Sequence, residues 1–227
     1  MENLAAHRAI ALRALLRERF PSAHADLPGL ADLPPSTPTT AGSRLPVQAP
    51  VTVAFSPGEI QEVVAERPGC GSALLLGELL ARAEAGGRTL TLVDGKDSFD
   101  PDSFGPSLCR RMLWLRCRDA EQAMQATDLL LRDGNLPEIV LDLQLNPFPE
   151  IRSFAPNVWH RFRALSEQAG TGLLVITTSP LVVSAHRRFA LRPLAGAPDW
   201  ESTRNDFSER LSPVPLRQRS LRGAMQG

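Results

Sequence analysis

From about residue 58 to residue 192, short apolar runs alternate with longer segments in which apolar residues recur every three or four positions. Short apolar runs predict buried strands, and the longer spacing predicts helices with one buried face. Because a helix separates most successive strands, the connections must cross over the sheet. The pattern therefore predicts an α/β fold with a mainly parallel β-sheet flanked by helices. The predicted strands are residues 60–65, 88–94, 112–116, 138–143, 171–178 and 187–192.

The predicted helices have recognisable ends. The leucine-rich segment 72–84 is followed by two glycines, which are typical of a helix C-terminus. Asp119 and Asn157 can each accept a hydrogen bond from the first turn of a helix, so both are predicted N-caps. The helices that they begin are predicted to end at Gly134 and Gly170.

The N-terminal segment has a different pattern. Residues 1–20 predict an amphipathic helix whose apolar stripe includes Leu12, Leu16 and Phe20. Residues 21–50 contain seven prolines and have the composition of a linker. A short helix on a flexible linker cannot bury its stripe alone, so we expect these three side chains to bind a partner surface.

The C-terminal segment, residues 195–227, loses the alternation of strands and helices, so the α/β core is predicted to span residues 51–194. From Arg210 onward the segment contains four arginines and no acidic residue. This composition predicts a flexible tail, with a contact to an acidic partner or to nucleic acid as the alternative.

The composition limits the kinds of reaction and binding that the chain can support. The chain balances 25 basic against 25 acidic residues and is 43% hydrophobic, which is typical of a globular protein rather than a basic nucleic-acid coat. Lys96 is its single lysine, so Schiff-base chemistry and a lysine-dependent phosphate loop must use that residue or be absent. No zinc-binding pattern, signal peptide or membrane-spanning stretch is found, and the sequence predicts a cytoplasmic protein.

Several individual side chains are predicted to be structural. The three cysteines are expected to be reduced and buried, and Cys70, near a helix N-terminus, is assigned a structural role. Trp159 is predicted to lie in the core or in an interface, whereas His160 is predicted to be on the surface. The arginine pairs at 110–111 and 187–188 are expected to be solvated.

The first predicted strand leads through a glycine-containing turn directly into a helix, a layout that can hold phosphate on backbone amides. This strand, turn and helix, followed by residues 88–94 and 97–101, resemble the start of a RecA-type ATPase core. The likeness continues to residue 192. Within that superfamily the chain is similar to the ImuA family, accessory proteins of bacterial mutagenesis cassettes, and to the related SulA-like division inhibitors. Residues 12–21, 92–101, 126–143 and 159–165 carry the likeness to ImuA.

The turn departs from the working phosphate loop of that superfamily, Gly-x4-Gly-Lys-Ser/Thr. Aligned on Gly71, the first glycine of the motif falls on Glu66, the lysine on Ser72 and the magnesium-binding hydroxyl on Ala73. Gly69 is a further glycine of the turn. Without the lysine and the hydroxyl, the loop lacks the cation and the metal ligand that phosphoryl transfer needs.

Two further positions bear on the predicted nucleotide site. One departs from the family's pattern, and the other lacks the residue with which it would hold magnesium. The resemblance places a catalytic glutamate two residues after Asp94, where this chain has Lys96. Asp142 aligns with the aspartate that supports magnesium, but the hydroxyl partner is missing at Ala73. Together with the turn, these residues form a degenerate nucleotide site, and we expect no catalytic residue, cofactor or metal.

The resemblance implies a non-catalytic RecA-like scaffold in error-prone translesion DNA synthesis, the mutagenesis arm of the SOS response to DNA damage. Its implied partners are RecA, an inactive Y-family polymerase homologue similar to ImuB, and an error-prone DnaE-type polymerase. Self-association is possible, because the helix at residues 1–20 could imitate the helix that joins RecA subunits. The alternatives are a SulA-like cell-division inhibitor, an atypical nucleotide-binding switch that uses Lys96 and Asp142, and weak DNA binding through the arginine tail.

Overall fold

A computed structural model describes residues 53–67, 70–192, 211 and 213–218, all of which belong to the unit Gln48–Gly227. The predicted helix at residues 1–20, with Leu12, Leu16 and Phe20, lies outside the described residues. So do the predicted linker and most of the C-terminal tail. Among the described residues, no helix combines the length and the apolar composition that crossing a membrane requires.

The described chain forms seven strands, five α-helices and a short 3-10 helix at Pro101–Ser103. In order, the strands and α-helices are β1 (Ile60–Ala65), α1 (Ser72–Ala85), β2 (Leu90–Asp94), α2 (Pro106–Cys109), β3 (Met112–Arg116), α3 (Ala120–Asp133), β4 (Glu138–Asp142), α4 (Phe148–Arg152), α5 (Asn157–Ala169), β5 (Gly172–Thr177), β6 (Arg187–Leu191) and β7 (Val214–Gln218).

The seven strands form one sheet in the order β3-β2-β4-β5-β1-β6-β7. All neighbouring pairs are parallel except β6 and β7. Side chains alternate between the two faces: Ile139 of β4 belongs to an apolar cluster with Phe162 of α5, whereas Val140 packs in a second cluster with Leu79 of α1. The predicted mainly parallel α/β fold is confirmed, with helices on both faces of the sheet.

The helix ends agree with the sequence at four of five positions, since Gly86 is the C-cap of α1. Asp119 accepts a hydrogen bond from the N–H of Gln122 at 2.8 Å, as an N-cap does, and Gly134 and Gly170 end their helices in the left-handed conformation. The prediction that Asn157 caps α5 is wrong. Asn157 is already the first helical residue, because the turn begins earlier, with the N–H of Val158 bonded to the carbonyl of Ala155 at 3.0 Å.

The C-terminal tail is not flexible throughout. Val214–Gln218 forms β7, which pairs antiparallel with β6 and so satisfies backbone groups that would otherwise lie at an open sheet edge. The pairing tolerates Pro215, which lies beside a register shift between Arg188 and Phe189. The composition of the tail predicts flexibility because it contains prolines, whereas this strand is stabilised by its pairing with β6.

The arginine pair at 187–188 is not solvated surface, contrary to the prediction from sequence. Glu62 of β1 is completely buried, and its carboxylate accepts the Nε–H of Arg188 on β6. The same carboxylate accepts the N–H groups of Leu181 and Val182 at 2.7 and 3.0 Å and the hydroxyl of Thr177 at 3.1 Å.

The adjacent Arg187 pairs with Glu59 at 2.6 Å. The other predicted pair, Arg110 and Arg111, is exposed as expected.

Replacing Glu62 with alanine should destabilise the fold by about 3 to 5 kcal/mol, because it leaves the largely buried guanidinium of Arg188, whose side chain is 14% exposed, without its counter-charge. Glu78→Ala is a matched control, since it breaks the more exposed salt bridge to Arg82 and should cost less than about 1 kcal/mol. Urea unfolding of both variants measures the difference. Equal losses would show that Glu62 does not hold a buried charge in place.

Candidate functional site

The turn between β1 and α1 lies at the carboxyl edge of the sheet, where open α/β sheets bind ligands. Gly71 adopts the left-handed conformation, with a φ of 92°, and allows the chain to enter α1. Ser72 and Ala73 are the first two residues of that helix, and Glu66 is exposed at the end of β1. Gly69 lies outside the described residues.

A glutamine from the loop after β4 fills this turn. The side-chain Nε2 of Gln144 donates to the carbonyls of Ala65 and Arg67 at 3.3 and 3.2 Å. Its Oε1 accepts the hydroxyl of Ser72 at 2.6 Å. Gln144 is buried, so its amide crosslinks both sides of the turn from within the protein. Of the groups that could donate to a phosphate, the hydroxyl of Ser72 is thereby bonded to a neutral side chain.

Sequence reasoning missed Gln144. The available signal is its position two residues after Asp142, just beyond the carboxyl end of a buried strand. A glutamine in a loop gives no indication of its partners, because they lie more than seventy residues away in sequence. Its role becomes apparent only when the order of the strands is known.

Asp142 lies at the end of β4, next to Asp94 at the end of β2, because these two residues are partners in the parallel register. One oxygen of Asp142 accepts the N–H of Gln144 at 2.9 Å. Burial raises the pKa of Asp142 to about 6, and the negative charge of Asp94 adds to the increase. Near neutral pH a fraction of Asp142 is therefore protonated.

Asp94 is bonded to its own loop. Its two buried oxygens accept the N–H groups of Lys96, Ser98 and Phe99, the hydroxyl of Ser98, and the indole N–H of Trp114. The two shortest of these bonds are 2.8 Å. Such a set of donors holds an ionised carboxylate in place, so Asp94 shapes the loop after β2.

Lys96 is exposed, and the structure does not bring it together with the turn at Gly71. Its ammonium group lies 3.4 Å from the carbonyl of Arg118, just after β3. Three strands separate β3 from β1, which at the usual strand spacing corresponds to roughly 15 to 20 Å. The eight predicted site residues thus divide into the turn, the pair of Asp94 and Asp142, and the remote Lys96.

Gly95 packs against the loop that carries Gln144. A Cβ atom at this position would lie 2.6 Å from the carbonyl oxygen of Asp142 and would also collide with the side chain of Asn146. The Nδ2 of Asn146 donates to the carbonyl of Gly95 at 2.7 Å, and the N–H of Gly95 donates to the carbonyl of Asp142 at 2.9 Å. The loops after β2 and β4 therefore fit together closely.

The remaining candidates have structural positions. Trp159 is buried and His160 is exposed, as predicted. Cys70 and Cys117 are buried, but Cys109 is partly exposed, so the expectation that all three thiols are buried is wrong for Cys109. Burial raises the pKa of the Cys109 and Cys117 thiols, which favours the protonated and less nucleophilic form.

Two large apolar side chains are exposed just after β4, at the carboxyl edge of the sheet. The loop between β4 and α4 contributes Leu145, which is 50% exposed, and α4 begins with Phe148, which is 41% exposed. We call these two residues the carboxyl-edge apolar set. Val183 is 39% exposed, but it lies in the loop that returns from β5 to the start of β6 and is not part of this set.

No protein-family model matches the chain, and no curated protein matches it at a significant level.

Replacing Gly95 with alanine should destabilise the fold by about 1 to 3 kcal/mol, because the added methyl group overpacks the contact with Asp142 and Asn146. Gly86→Ala is the matched control, because its Cβ would meet its nearest neighbour at 3.2 Å and should cost less. Thermal unfolding compares the two variants. An equal cost at both positions would contradict the close packing of the two loops.

Asp142 should make the folded state less stable as the pH rises. Its pKa increases from 3.8 to about 6 on folding, so the folded chain holds this proton more tightly than the unfolded chain. The stabilisation of the folded state by this proton is fully present below pH 4 and is lost as the pH rises through 6. The total loss in the free energy of unfolding is up to about 3 kcal/mol. Asp142→Asn, which keeps an acceptor for Gln144, should therefore gain stability relative to the wild type between pH 4 and pH 7. Urea unfolding measures this difference, and a constant difference over the range would contradict the raised pKa.

Proposed function

We propose that this protein is a non-catalytic, RecA-like scaffold of error-prone translesion DNA synthesis, similar to the ImuA family. It acts in the cytoplasm by binding other proteins during the response to DNA damage. Its proposed partners are RecA, an inactive Y-family polymerase homologue and an error-prone DnaE-type polymerase. It needs no metal or cofactor for this role.

The observation that carries this proposal is the crosslink made by Gln144. In a nucleotide-binding protein of this layout, the turn after β1 presents free backbone groups and a cation to phosphate. Here Gln144 bonds to both sides of the turn, Ser72 occupies the lysine position, and Lys96 lies several strands away. A neutral side chain bonded to the turn from inside, together with the missing loop lysine, favours a fold kept for its surfaces over an ATPase.

A second observation favours protein binding at the same edge. The carboxyl-edge apolar set exposes Leu145 and Phe148 just after β4, at the edge where open α/β sheets bind ligands. Exposed apolar residues that share one edge are typical of protein-binding surfaces. Together with the predicted helix at residues 1–20, they give the scaffold two separate regions for partners.

The test is direct binding of the full-length protein to each purified partner by biolayer interferometry. We expect saturable binding to at least one of the three. Deletion of residues 1–25 should weaken RecA binding and self-association by at least about tenfold, or ~1.4 kcal/mol. Leu16→Ser should reproduce much of this loss, whereas the neighbouring Arg17→Ser, on another face of the predicted helix, should not.

Three outcomes would contradict the proposal. Absence of binding to all three partners would remove the proposed role. Magnesium-dependent ATP turnover that Asp142→Ala abolishes would identify an enzyme instead. Selective binding of the division tubulin homologue would favour a SulA-like inhibitor.

A further inference from the structure

The two edges of the sheet differ in how they can accept another strand. At the outer edge, β7 carries Pro215, and its pairing with β6 is irregular. Proline and irregular pairing both protect edge strands from further pairing. At the opposite edge, β3 has neither feature, since its five residues pair with β2 in unbroken parallel register. Within the described part of the chain, no strand lies beyond β3.

The register identifies the backbone groups that point outward from β3. The N–H of Cys117, just after the strand, donates to the carbonyl of Asp94 on β2 at 2.9 Å. Because successive residues of a strand alternate in direction, the N–H and C=O groups of every second residue face the open edge. These residues are Met112, Trp114 and Arg116.

The segment that contains β3 and its flanking residues is strongly basic. Residues 110–118 contain four arginines and no acidic residue, and all four arginines are exposed. Arg116 is bonded to Asp97, whereas no salt bridge among the described residues engages the other three. Arg110 and Arg111 lie in the turn before β3 and Arg118 lies just after it, so exposed arginines flank the strand at both ends. Leu113, between them, is 42% exposed.

We propose that the β3 edge binds an extended acidic segment of a partner protein by strand addition. The backbone of the segment would pair with the outward groups of β3, and acidic side chains at its two ends would meet the arginines. Nucleic acid could neutralise these arginines, but it could not match the alternating N–H and C=O groups or use the exposed Leu113. The proposal does not depend on the pathway in which the protein acts.

The test uses the full-length protein and a fluorescent, extended peptide of about ten residues, with glutamates at both ends and alternating valine and threonine between them. Fluorescence anisotropy should show saturable binding. Arg110→Glu combined with Arg118→Glu should weaken binding by at least about tenfold. Arg152→Glu combined with Arg192→Glu changes the net charge equally at exposed positions on other elements and should weaken it by less than about twofold.

A second peptide separates strand pairing from simple charge attraction. The same sequence with alternate backbone nitrogens methylated keeps every side chain but cannot pair along one edge, so it should bind at least about tenfold more weakly. Equal binding of the methylated peptide would overturn the proposal. So would equal effects of the two charge reversals, binding only to single-stranded DNA of matching length, or no binding of the acidic peptide up to about 1 mM.

Discussion

The architecture depends on a carboxylate that has no access to water. Glu62 lies on β1, between β5 and β6 in the sheet, and an ionised group there is tolerated only if it is fully bonded. Arg188 supplies the opposite charge from β6, and the N–H groups of Leu181 and Val182 supply further bonds. This requirement fixes the loop between β5 and β6, holds β6 against β1, and so gives β7 a strand on which to pair.

Bonding of polar side chains within the protein also organises the carboxyl edge of the sheet. Its polar side chains bond to the protein itself: Gln144 bridges the turn after β1, Asp94 organises the loop after β2, and Asn146 joins that loop to the one after β4. A site for a charged ligand needs polar groups that remain unsatisfied until the ligand arrives. Gln144 and Asp94 are already bonded within the protein, whereas the Oδ1 of Asn146 and the hydroxyl of Ser179 are buried without a partner among the described residues. The surface of this edge is mixed, with Lys96 and Arg118 exposed as well as Leu145.

The sequence was informative where the signal is local. Apolar runs located the strands, and Asp119 and Gly134 marked the ends of α3, because each of these features acts over a few residues. The sequence failed where partners are distant. Gln144 bonds to residues across the sheet, Arg188 pairs with Glu62 more than a hundred positions away, and β7 is stabilised by pairing rather than by its own composition. Lys96 was grouped with the turn by alignment, although the strand order separates them.

The unequal edges of the sheet also limit the size of any assembly built by extending it. A sheet with two receptive edges can grow into an open-ended fibre as each added chain exposes a new edge. In the described chain, Pro215 and the irregular register discourage growth beyond β7, while β3 remains available. Association through strand pairing is therefore restricted to one side of each molecule, and it favours closed complexes of fixed stoichiometry over filaments.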